Sequence, residues 1–401
     1  MMIRRRSALL GLAASWTLGR SSVAFAVPAR GATDPRLVVI ILRGALDGLA
    51  AVTPYGDRNI VAHRKDLLLA EPGQEHGLLD LGGFYGLHPA LGGMHDLYAA
   101  GQLLPIHAVA GHYRSRSHFD AQDYLESGAD ERLSSGWLNR AVAALPARGG
   151  RPDGFGLAMG LTVPLLLRGS ERVGSYAPAG SQHPDAGLYT QIAALNASDP
   201  LTGPAFRDGL KARGFSDALM EGRPVSPSTQ GRKPDAFTTL STAAGEMLAD
   251  PRGPRVAALE IGGWDTHAGQ VGRLNGPLAQ LDRGVLALRQ SMGAAWEKTV
   301  VLAMTEFGRT VRMNGTGGTD HGTGTVAFLA GGAVQGGRVG GTWPGLAAGQ
   351  LFENRDLAPT TDLRGVAAGI LCDHLHLPQS AIARVFPGAT PTPIQGLVRS
   401  V

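Results

Sequence analysis

Five short apolar runs do most to limit the folds open to this chain. Each consists almost wholly of Val, Leu, Ile, Ala and similar residues, and each is followed by a turn containing glycine or charged residues. They occupy residues 37–42, 103–110, 256–261, 299–304 and 325–330. Continuous runs of this kind, without the alternation of a half-exposed strand, predict strands buried on both faces of a mostly parallel sheet.

Amphipathic stretches separate these runs. The clearest covers residues 278–296, and its apolar side chains share one helical stripe. They are Leu278, Leu281, Val285, Leu288 and Met292. Buried strands that alternate with such helices predict an α/β fold, with a mostly parallel central sheet flanked by helices. We therefore expect residues 35–401 to form a single α/β domain, with residues 189–250 as a helical insertion or cap.

Charged residues stand at the ends of the predicted strands. Glu306 and Arg309 follow the fourth run, and a glycine-rich loop then leads to Asp320 and His321 just before the fifth. Ligands of α/β sheets bind outside the carboxyl ends of the strands, so we expect the strand-end residues to share one rim. The other candidates at strand ends are Arg43, Asp47, Arg116, Ser117, His118, Asp265 and His267.

These residue types suit a divalent metal. Asp265 and His267 are alternate residues of one extended segment and can therefore face the same ion. His321 would add a second imidazole, while Asp47 and Glu306 would complete that site or form a second, oxygen-rich one. The candidate ligands are Asp47, Asp265, His267, Glu306, Asp320 and His321. The sequence predicts one or two divalent ions and does not distinguish Zn, Mn, Ca and Mg.

A hydroxyl group and guanidinium groups would complete an ester-cleaving site. Ser117 is the best-placed nucleophile, because it begins a predicted helix whose first N–H groups favour anions. Arg116 and Arg309, with Arg43 as a further candidate, could bind a phosphate or sulfate through two parallel hydrogen bonds. His118 is a further candidate for the same site.

Each candidate also has an ordinary structural interpretation. An Asp-x-His segment is commonly a hydrogen-bonded turn, Glu306 and Arg309 could form only an ion pair, and Ser117 could be a plain helix cap. In that case the strand ends carry salt bridges and bind no ion. His107, inside an apolar run, is predicted to be a hydrogen-bonded core histidine.

The first 34 residues are typical of an export signal with its linker. Arg5 and Arg6 precede an apolar stretch at residues 8–18, and Ala24-Phe25-Ala26 has the small-residue pattern of a cleavage site. We expect export by the twin-arginine machinery to the periplasm or the cell exterior. No later stretch is predicted to be transmembrane, since a span needs about 20 apolar residues.

The net charge gives no reason to predict nucleic-acid binding, and the cysteine content excludes an intramolecular disulfide. The arginines of the first 26 residues account for the formal net charge of +4, so the remainder of the chain is neutral. No basic face therefore predicts binding to nucleic acid. Cys372 is the only cysteine, which rules out an intramolecular disulfide.

Six motifs carry a resemblance to a known family. They are LRGALDGLAAVTPYGD, SRSHFDAQDYLESG, GWLNR, GGWDTH, TEFGRT and GTDHGTGTVAFLAGG. Together they resemble the exported family called domain of unknown function 1501, and the resemblance covers about residues 36 to 377. That family is similar to the alkaline phosphatase and sulfatase superfamily, whose fold is an α/β sandwich with a metal site at the strand ends.

The resemblance implies roles for particular residues. Asp47 would be the acid after the first strand, and Ser117 would lie near the nucleophile. Asp265 and His267 would be the Asp/His metal pair. His321 would be the late histidine before the last core strand.

The chain departs from the superfamily at Glu306-Phe307, where Asp-His is usual, and phenylalanine removes one nitrogen ligand. Two functions therefore stay open. The first is an exported metal-dependent hydrolase of phosphate or sulfate esters, acting on an anionic ester substrate. The alternative is a non-catalytic exported metal-binding protein that acts on a cell-envelope partner or a glycan.

Overall fold

A computed structural model describes residues 34–145, 156–177 and 235–399 of the chain. Its centre is an eight-stranded sheet with the strand order β11-β5-β10-β9-β1-β8-β6-β7, and a small antiparallel sheet has the order β2-β4-β3. The strands are β1 Arg36–Leu42, β2 Val52–Thr53, β3 Leu79–Asp80, β4 Gly86–Leu87, β5 Leu103–Ala110, β6 Gly156–Met159, β7 Val173–Tyr176, β8 Val256–Ile261, β9 Thr299–Met304, β10 Thr325–Ala330 and β11 Thr361–Asp362.

The large sheet is mostly parallel, as predicted. β1 pairs in parallel with β8 and β9, and β6 pairs in parallel with β7 and β8. The five apolar runs are all strands of this sheet, so their prediction as buried strands is confirmed. β10 differs in direction, because it pairs antiparallel with both β5 and β9. The chain leaves β9 and enters β10 at the same edge, which brings the loop between them to that edge.

Alternate residues of β1 show that the sheet is buried on both faces. Leu37, Val39 and Ile41 belong to one apolar cluster, whereas Val38 and Ile40 belong to another on the opposite face. Successive strand side chains point to opposite faces, so both faces are covered by packed side chains. This explains why the sequence shows continuous apolar runs instead of alternation.

Helices cover these faces. They are α1 Gly48–Ala51, α2 Asn59–Arg64, α3 Gly92–Ala99, α4 His118–Ser127, α5 Trp137–Ala144, α6 Ala236–Ala249, α7 Gln270–Met292, α8 Leu363–Asp373 and α9 Gln379–Val385. α7 starts earlier than the predicted helix at residues 278–296 and contains Pro277. Its last predicted residues form a short 3-10 helix at Gly293–Lys298. α6 packs closely against α7, where Gly284 leaves room for the Phe237 ring.

Two expectations fall largely outside the described residues. The proposed export segment lies outside them except for Asp34, and residues 189–234 of the proposed insertion also lie outside them. The described end of the proposed insertion contains the helix α6. Among the described residues, no helix combines the length and the apolar character needed to cross a membrane.

Three histidines outside the set of candidate site residues are buried. His107 contacts the Val52 carbonyl oxygen through Nε2 and accepts a hydrogen bond from the Ala108 N–H at Nδ1, each at 2.9 Å. It is therefore the hydrogen-bonded core histidine that the sequence predicts. Burial lowers the pKa of His107 from 6.5 to about 4. The pKa values of His88 and His374 are also lowered to about 4, with burial as the main cause.

These histidines predict acid sensitivity. A base whose pKa is lowered by folding contributes stability that is present above pH 6.5 and is lost as the pH falls through the window from 6.5 to about 4. We expect each to cost about 2 kcal/mol of unfolding free energy between neutral pH and pH 5. Urea unfolding of chelator-treated protein at the two pH values measures this loss. His107→Gln keeps a donor and an acceptor but does not titrate, so its loss should be smaller by about 2 kcal/mol; an equal loss in both proteins would refute the assignment.

A candidate metal centre at the strand ends

Three imidazoles and one carboxylate converge at the edge of the sheet where β8 and β9 end. His118 opens α4, Asp265 and His267 follow β8, and His321 precedes β10. One ligand atom from each of His118, Asp265 and His321 lies within 4.8 Å of the others. Four residues from three distant segments thus share one place.

The contacts are made by the Nε2 atoms. His321 Nε2 lies 3.0 Å from His118 Nε2 and 2.9 Å from His267 Nε2. Asp265 Oδ1 lies 3.1 Å from His267 Nε2, 3.3 Å from His321 Nε2 and 3.6 Å from His118 Nε2. His267 is thereby a fourth member of the cluster, adjacent to both Asp265 and His321.

The other ring nitrogen of each histidine has an acceptor. Nδ1 of His118 lies 2.7 Å from Glu306 Oε1, Nδ1 of His267 lies 3.2 Å from Asp320 Oδ1, and Nδ1 of His321 lies 2.9 Å from the Arg116 carbonyl oxygen. Because carboxylates and carbonyls only accept hydrogen bonds, we assign the proton of each neutral ring to Nδ1.

This assignment turns the Nε2 lone pairs toward one another. Lone pairs at 2.9 to 3.0 Å repel unless a metal ion or a shared proton lies between them. Metal-bound histidines commonly donate their second N–H to a carboxylate or a carbonyl, which fixes the ring and makes the ligand more basic. The donor set of His118, His267, His321 and Asp265 therefore fits a divalent metal ion.

Glu306 lies behind His118 as its hydrogen-bond partner. Its Oε1 also accepts from the Gly44 N–H at 2.9 Å and from Gln122 Nε2 at 3.0 Å, and its Oε2 contacts the Thr305 hydroxyl at 2.9 Å. Burial opposes ionisation, but the hydrogen bonds from His118 and Gln122 outweigh it and lower the pKa of Glu306. The carboxylate is therefore charged at neutral pH. It holds the His118 ring through Nδ1, on the side away from the Nε2 cluster.

Arg309 lies beneath Asp265. Its Nη1 donates to Asp265 Oδ1 at 2.6 Å, and its other guanidinium nitrogens are held by Thr319. The arginine side chain is fully buried. Burial would raise the pKa of Asp265, but the ion pair with Arg309 outweighs this effect and lowers it. Arg309 thus orients the Asp265 carboxylate and is not exposed for binding an anion from solvent.

The charges of this region fit one divalent ion. Asp265, Glu306 and Asp320 contribute three carboxylates and Arg309 contributes one guanidinium, while the hydrogen bond to Glu306 raises the pKa of the His118 imidazole. With the imidazoles in the assigned neutral tautomers, the surplus of two negative charges matches one divalent cation.

Phe307 closes one side of the cluster. Its ring centroid lies 4.9 Å from that of His118 and 5.1 Å from that of His321. The side chain is buried and packs with Ala45 and Ala121. The residue that departs from the superfamily pattern is therefore an apolar wall against two of the imidazoles.

The structure places Asp47 in a different network. Its carboxylate is buried and accepts two hydrogen bonds from Arg64 Nη1, at 2.8 and 2.7 Å, and one from Gln270 Nε2 at 2.6 Å. It also caps α1 by accepting from the Leu49 N–H. With its oxygens engaged in this way, Asp47 is left out of the ligand set that we propose.

Two of the candidate arginines are paired elsewhere. Arg116 binds Asp356 Oδ2 at 2.7 Å and Glu353 Oε2 at 2.6 Å. Only its backbone carbonyl contacts the cluster. Arg43 binds Glu126 at 2.8 Å, Gln122 at 3.0 Å and Glu260. Its guanidinium is linked to the centre only through Gln122.

Ser117 lies between two residues that contact the cluster. Arg116 before it binds His321, and His118 after it is a member. Ser117 occupies the N-cap position of α4, but its side chain makes no capping hydrogen bond. Within the described part of the chain the Ser117 hydroxyl has no hydrogen-bond partner.

Sequence reasoning ranked His118 below the other candidates and did not single out Gln270. The sequence around His118 has no second residue at the spacing typical of a metal-ligand pair. Its partner Glu306 lies far away in the sequence. Gln270 joins Asp47 to Thr266 and Thr319 by hydrogen bonds. No local pattern could have revealed either role.

Comparison with known proteins identifies a family. A family model described as "Protein of unknown function (DUF1501)" matches residues 100–386. No curated protein matches the chain.

Solved structures similar to this chain include sulfatases, alkaline phosphatases and a zinc-bound periplasmic domain. A 2-O GAG sulfatase has 12% identity and a TM-score of 0.38, covering 90% of this chain and 73% of its own. The C-terminal periplasmic domain of EcEptC from Escherichia coli, in complex with Zn, has 10% identity and a TM-score of 0.35, covering 75% and 73%. The alkaline phosphatase from the Antarctic bacterium TAB5 has 10% identity and a TM-score of 0.33, covering 75% and 92%. Likenesses at this level do not transfer an activity.

Proposed function

Since the chain belongs to the DUF1501 family, which is described as having no known function, its activity has to be inferred from its own site, and we propose an exported metal-dependent hydrolase of phosphate or sulfate esters. One observation carries the proposal. Three imidazoles turn their Nε2 lone pairs toward one another, and each is anchored through Nδ1 by an acceptor. The similarity of this family to the phosphatase and sulfatase superfamily favours ester hydrolysis as the reaction.

The ion would be held by His118, His267, His321 and Asp265. Three nitrogen ligands favour Zn²⁺ or another transition metal such as Mn²⁺ or Fe²⁺ over Ca²⁺ and Mg²⁺, which prefer oxygen ligands. Glu306, Asp320 and the Arg116 carbonyl would hold the rings in place. A bound divalent ion would act as a Lewis acid toward the ester oxygen, or would lower the pKa of a bound water.

Ser117 is the residue that we propose as nucleophile. Its hydroxyl is free of capping hydrogen bonds and lies beside His118 in the chain. The first N–H groups of α4 favour negative charge at this end of the helix. Attack by Ser117 Oγ on phosphorus or sulfur would release the alcohol of the ester, and hydrolysis of the covalent intermediate would restore the serine.

Metal analysis combined with an ester panel tests the proposal. We expect about one transition-metal ion per chain in the folded protein, the number that the four converging donors His118, Asp265, His267 and His321 can hold, and turnover of some aryl phosphates or sulfates. Ser117→Ala should keep the ion and lower kcat at least about 10³-fold, because loss of a nucleophile removes the covalent route.

The matched control is Ser134→Ala, which changes an exposed serine of the loop before α5 and should leave both readouts unchanged. Protein that folds without metal and turns over nothing on the panel would eliminate the hydrolase. Bound metal without turnover would instead favour the second candidate, a non-catalytic metal-binding protein of the cell envelope. The Phe307 wall, which stands where relatives in the superfamily carry a ligand, supports that second candidate.

Export is part of the proposal. The segment with Arg5, Arg6 and Ala24-Phe25-Ala26 supports passage through the twin-arginine machinery. Cell fractionation of the full chain, with Arg5→Lys and Arg6→Lys together as the altered signal, measures it. We expect the altered chain to stay in the cytoplasm.

A further inference from the structure

An open cleft of about 350 Å³ lies beside the metal centre. Its size is within the range of small-molecule sites, which is roughly 300 to 1,000 Å³. One side is formed by α4, and the opposite side by residues 162–168. Two residues link the cleft to the centre. Gln122 lines the cleft and donates to Glu306, and Phe119, at the mouth, follows His118 directly.

The positively and negatively charged side chains that line the cleft are equal in number. Three guanidinium groups and three carboxylates line it, namely Arg43, Arg132, Arg168, Asp123, Glu126 and Glu260. Arg43 pairs with Glu126 and Glu260, and Arg132 pairs with Asp123. A cleft that binds an anion in addition to the ester group at the metal centre needs a surplus of positive charge. These residues do not supply such a surplus. They do present many donors and acceptors side by side.

One exposed apolar side chain lines the same cleft, and a second belongs to the residue that precedes a lining residue in the chain. Phe119 is 84% exposed, and Leu161, next to the lining residue Thr162, is 63% exposed. Among the described residues only four large apolar side chains are exposed, and these are the two most exposed of them. Apolar groups grouped at a cleft commonly mark a binding site, and an aromatic ring offers a flat surface for stacking.

We propose that this cleft binds an uncharged sugar ring, so that the substrate is a phosphate or sulfate ester of an otherwise neutral sugar. Sugar hydroxyls donate to carboxylates and accept from guanidinium groups, which matches the mixed lining. The C–H face of the ring would stack on Phe119. The inference rests on the proposed function only in placing the ester group at the metal centre, because sugar binding itself needs no ion.

Ligand-observed NMR with the full chain tests the sugar site directly. The probes are neutral disaccharides (maltose, cellobiose, lactose and chitobiose) and, for comparison, glucose 6-phosphate and glucose 6-sulfate with the metal removed by a chelator. We expect binding of at least one neutral disaccharide, weakened about tenfold by Phe119→Ala, which removes the stacking ring. Val61→Ala, an exposed apolar residue of α2, is the matched control and should change nothing.

Asp265→Ala separates this inference from the proposed hydrolase. We expect that variant to lose the ion and to keep its affinity for the neutral sugar. If no neutral disaccharide binds, if Phe119→Ala binds as well as the parent protein, or if metal-free protein takes only the two anionic sugars, the assignment of the cleft is wrong. Turnover of simple aryl esters by the parent protein would still stand in each of those cases.

Discussion

Replacing His321 by alanine is expected to empty the metal centre. His321 Nε2 is the atom that contacts both other imidazoles and the Asp265 carboxylate. Loss of a partner outside the ligand shell typically lowers metal affinity about 10- to 100-fold, so loss of this central ligand should cost more than that. Metal content by mass spectrometry should fall well below one ion per chain, and ester turnover should fall with it.

Glu306→Gln is expected to weaken metal binding less than His321→Ala does. The change keeps the shape of a buried side chain but removes the charge behind His118, so we expect a metal affinity about 10- to 100-fold weaker, between the parent and His321→Ala. The control is His95→Ala, which removes an imidazole of α3 that bonds the Asp80 carbonyl oxygen. A full complement of metal in His321→Ala would show that the histidines form only a hydrogen-bonded cluster.

Replacing Arg64 by methionine is expected to lower the unfolding free energy by about 3 to 5 kcal/mol, because the buried Asp47 carboxylate would lose its ionic partner. The side chains of Arg64 and Asp47 are both 1% exposed. Arg64 also donates to the carbonyl oxygens of Val311 and Thr310, at 2.7 and 2.6 Å, and these would be left without that donor. Urea unfolding measures the change.

The double variant Asp47→Asn with Arg64→Met is the control. Removing the charge together with its partner should be less destabilising than the sum of the two single changes, since the residues interact directly. The same variants decide the role of Asp47 in metal binding. Folded Asp47→Asn should retain its ion, and loss of the ion from folded protein would restore Asp47 to the ligand set.

The strands were the most predictable part of the fold. Fully buried strands need apolar side chains on both faces, and this requirement is visible in a run such as residues 37–42 without any knowledge of its neighbours. The helix α7 was harder to delimit, because its first turns contain Gly272, Gly276 and Pro277, which are poor helix formers. Packing over the sheet overrides that local preference.

The edge of the sheet at which the site residues lie was also predictable. The hydrogen-bond and ion-pair partners of these residues were not. Asp265, His267 and His321 were expected to meet, because they flank strands whose ends share one edge. The antiparallel direction of β10 is what brings His321 to that edge, since the chain re-enters the sheet where β9 ends. The position of Arg309 at the same edge was foreseen, but its burial beneath Asp265 was not.

The buried strands, the class of the sheet and the edge at which reactive residues gather follow from the amino-acid sequence, because apolar periodicity and strand ends are local properties. Which acid meets which base depends on how distant segments pack together. This packing places Glu306 behind His118, Asp47 against Arg64, and Phe307 as a wall of the centre. Those partnerships depend on side-chain directions set by packing between segments far apart in the chain, and no local pattern records them.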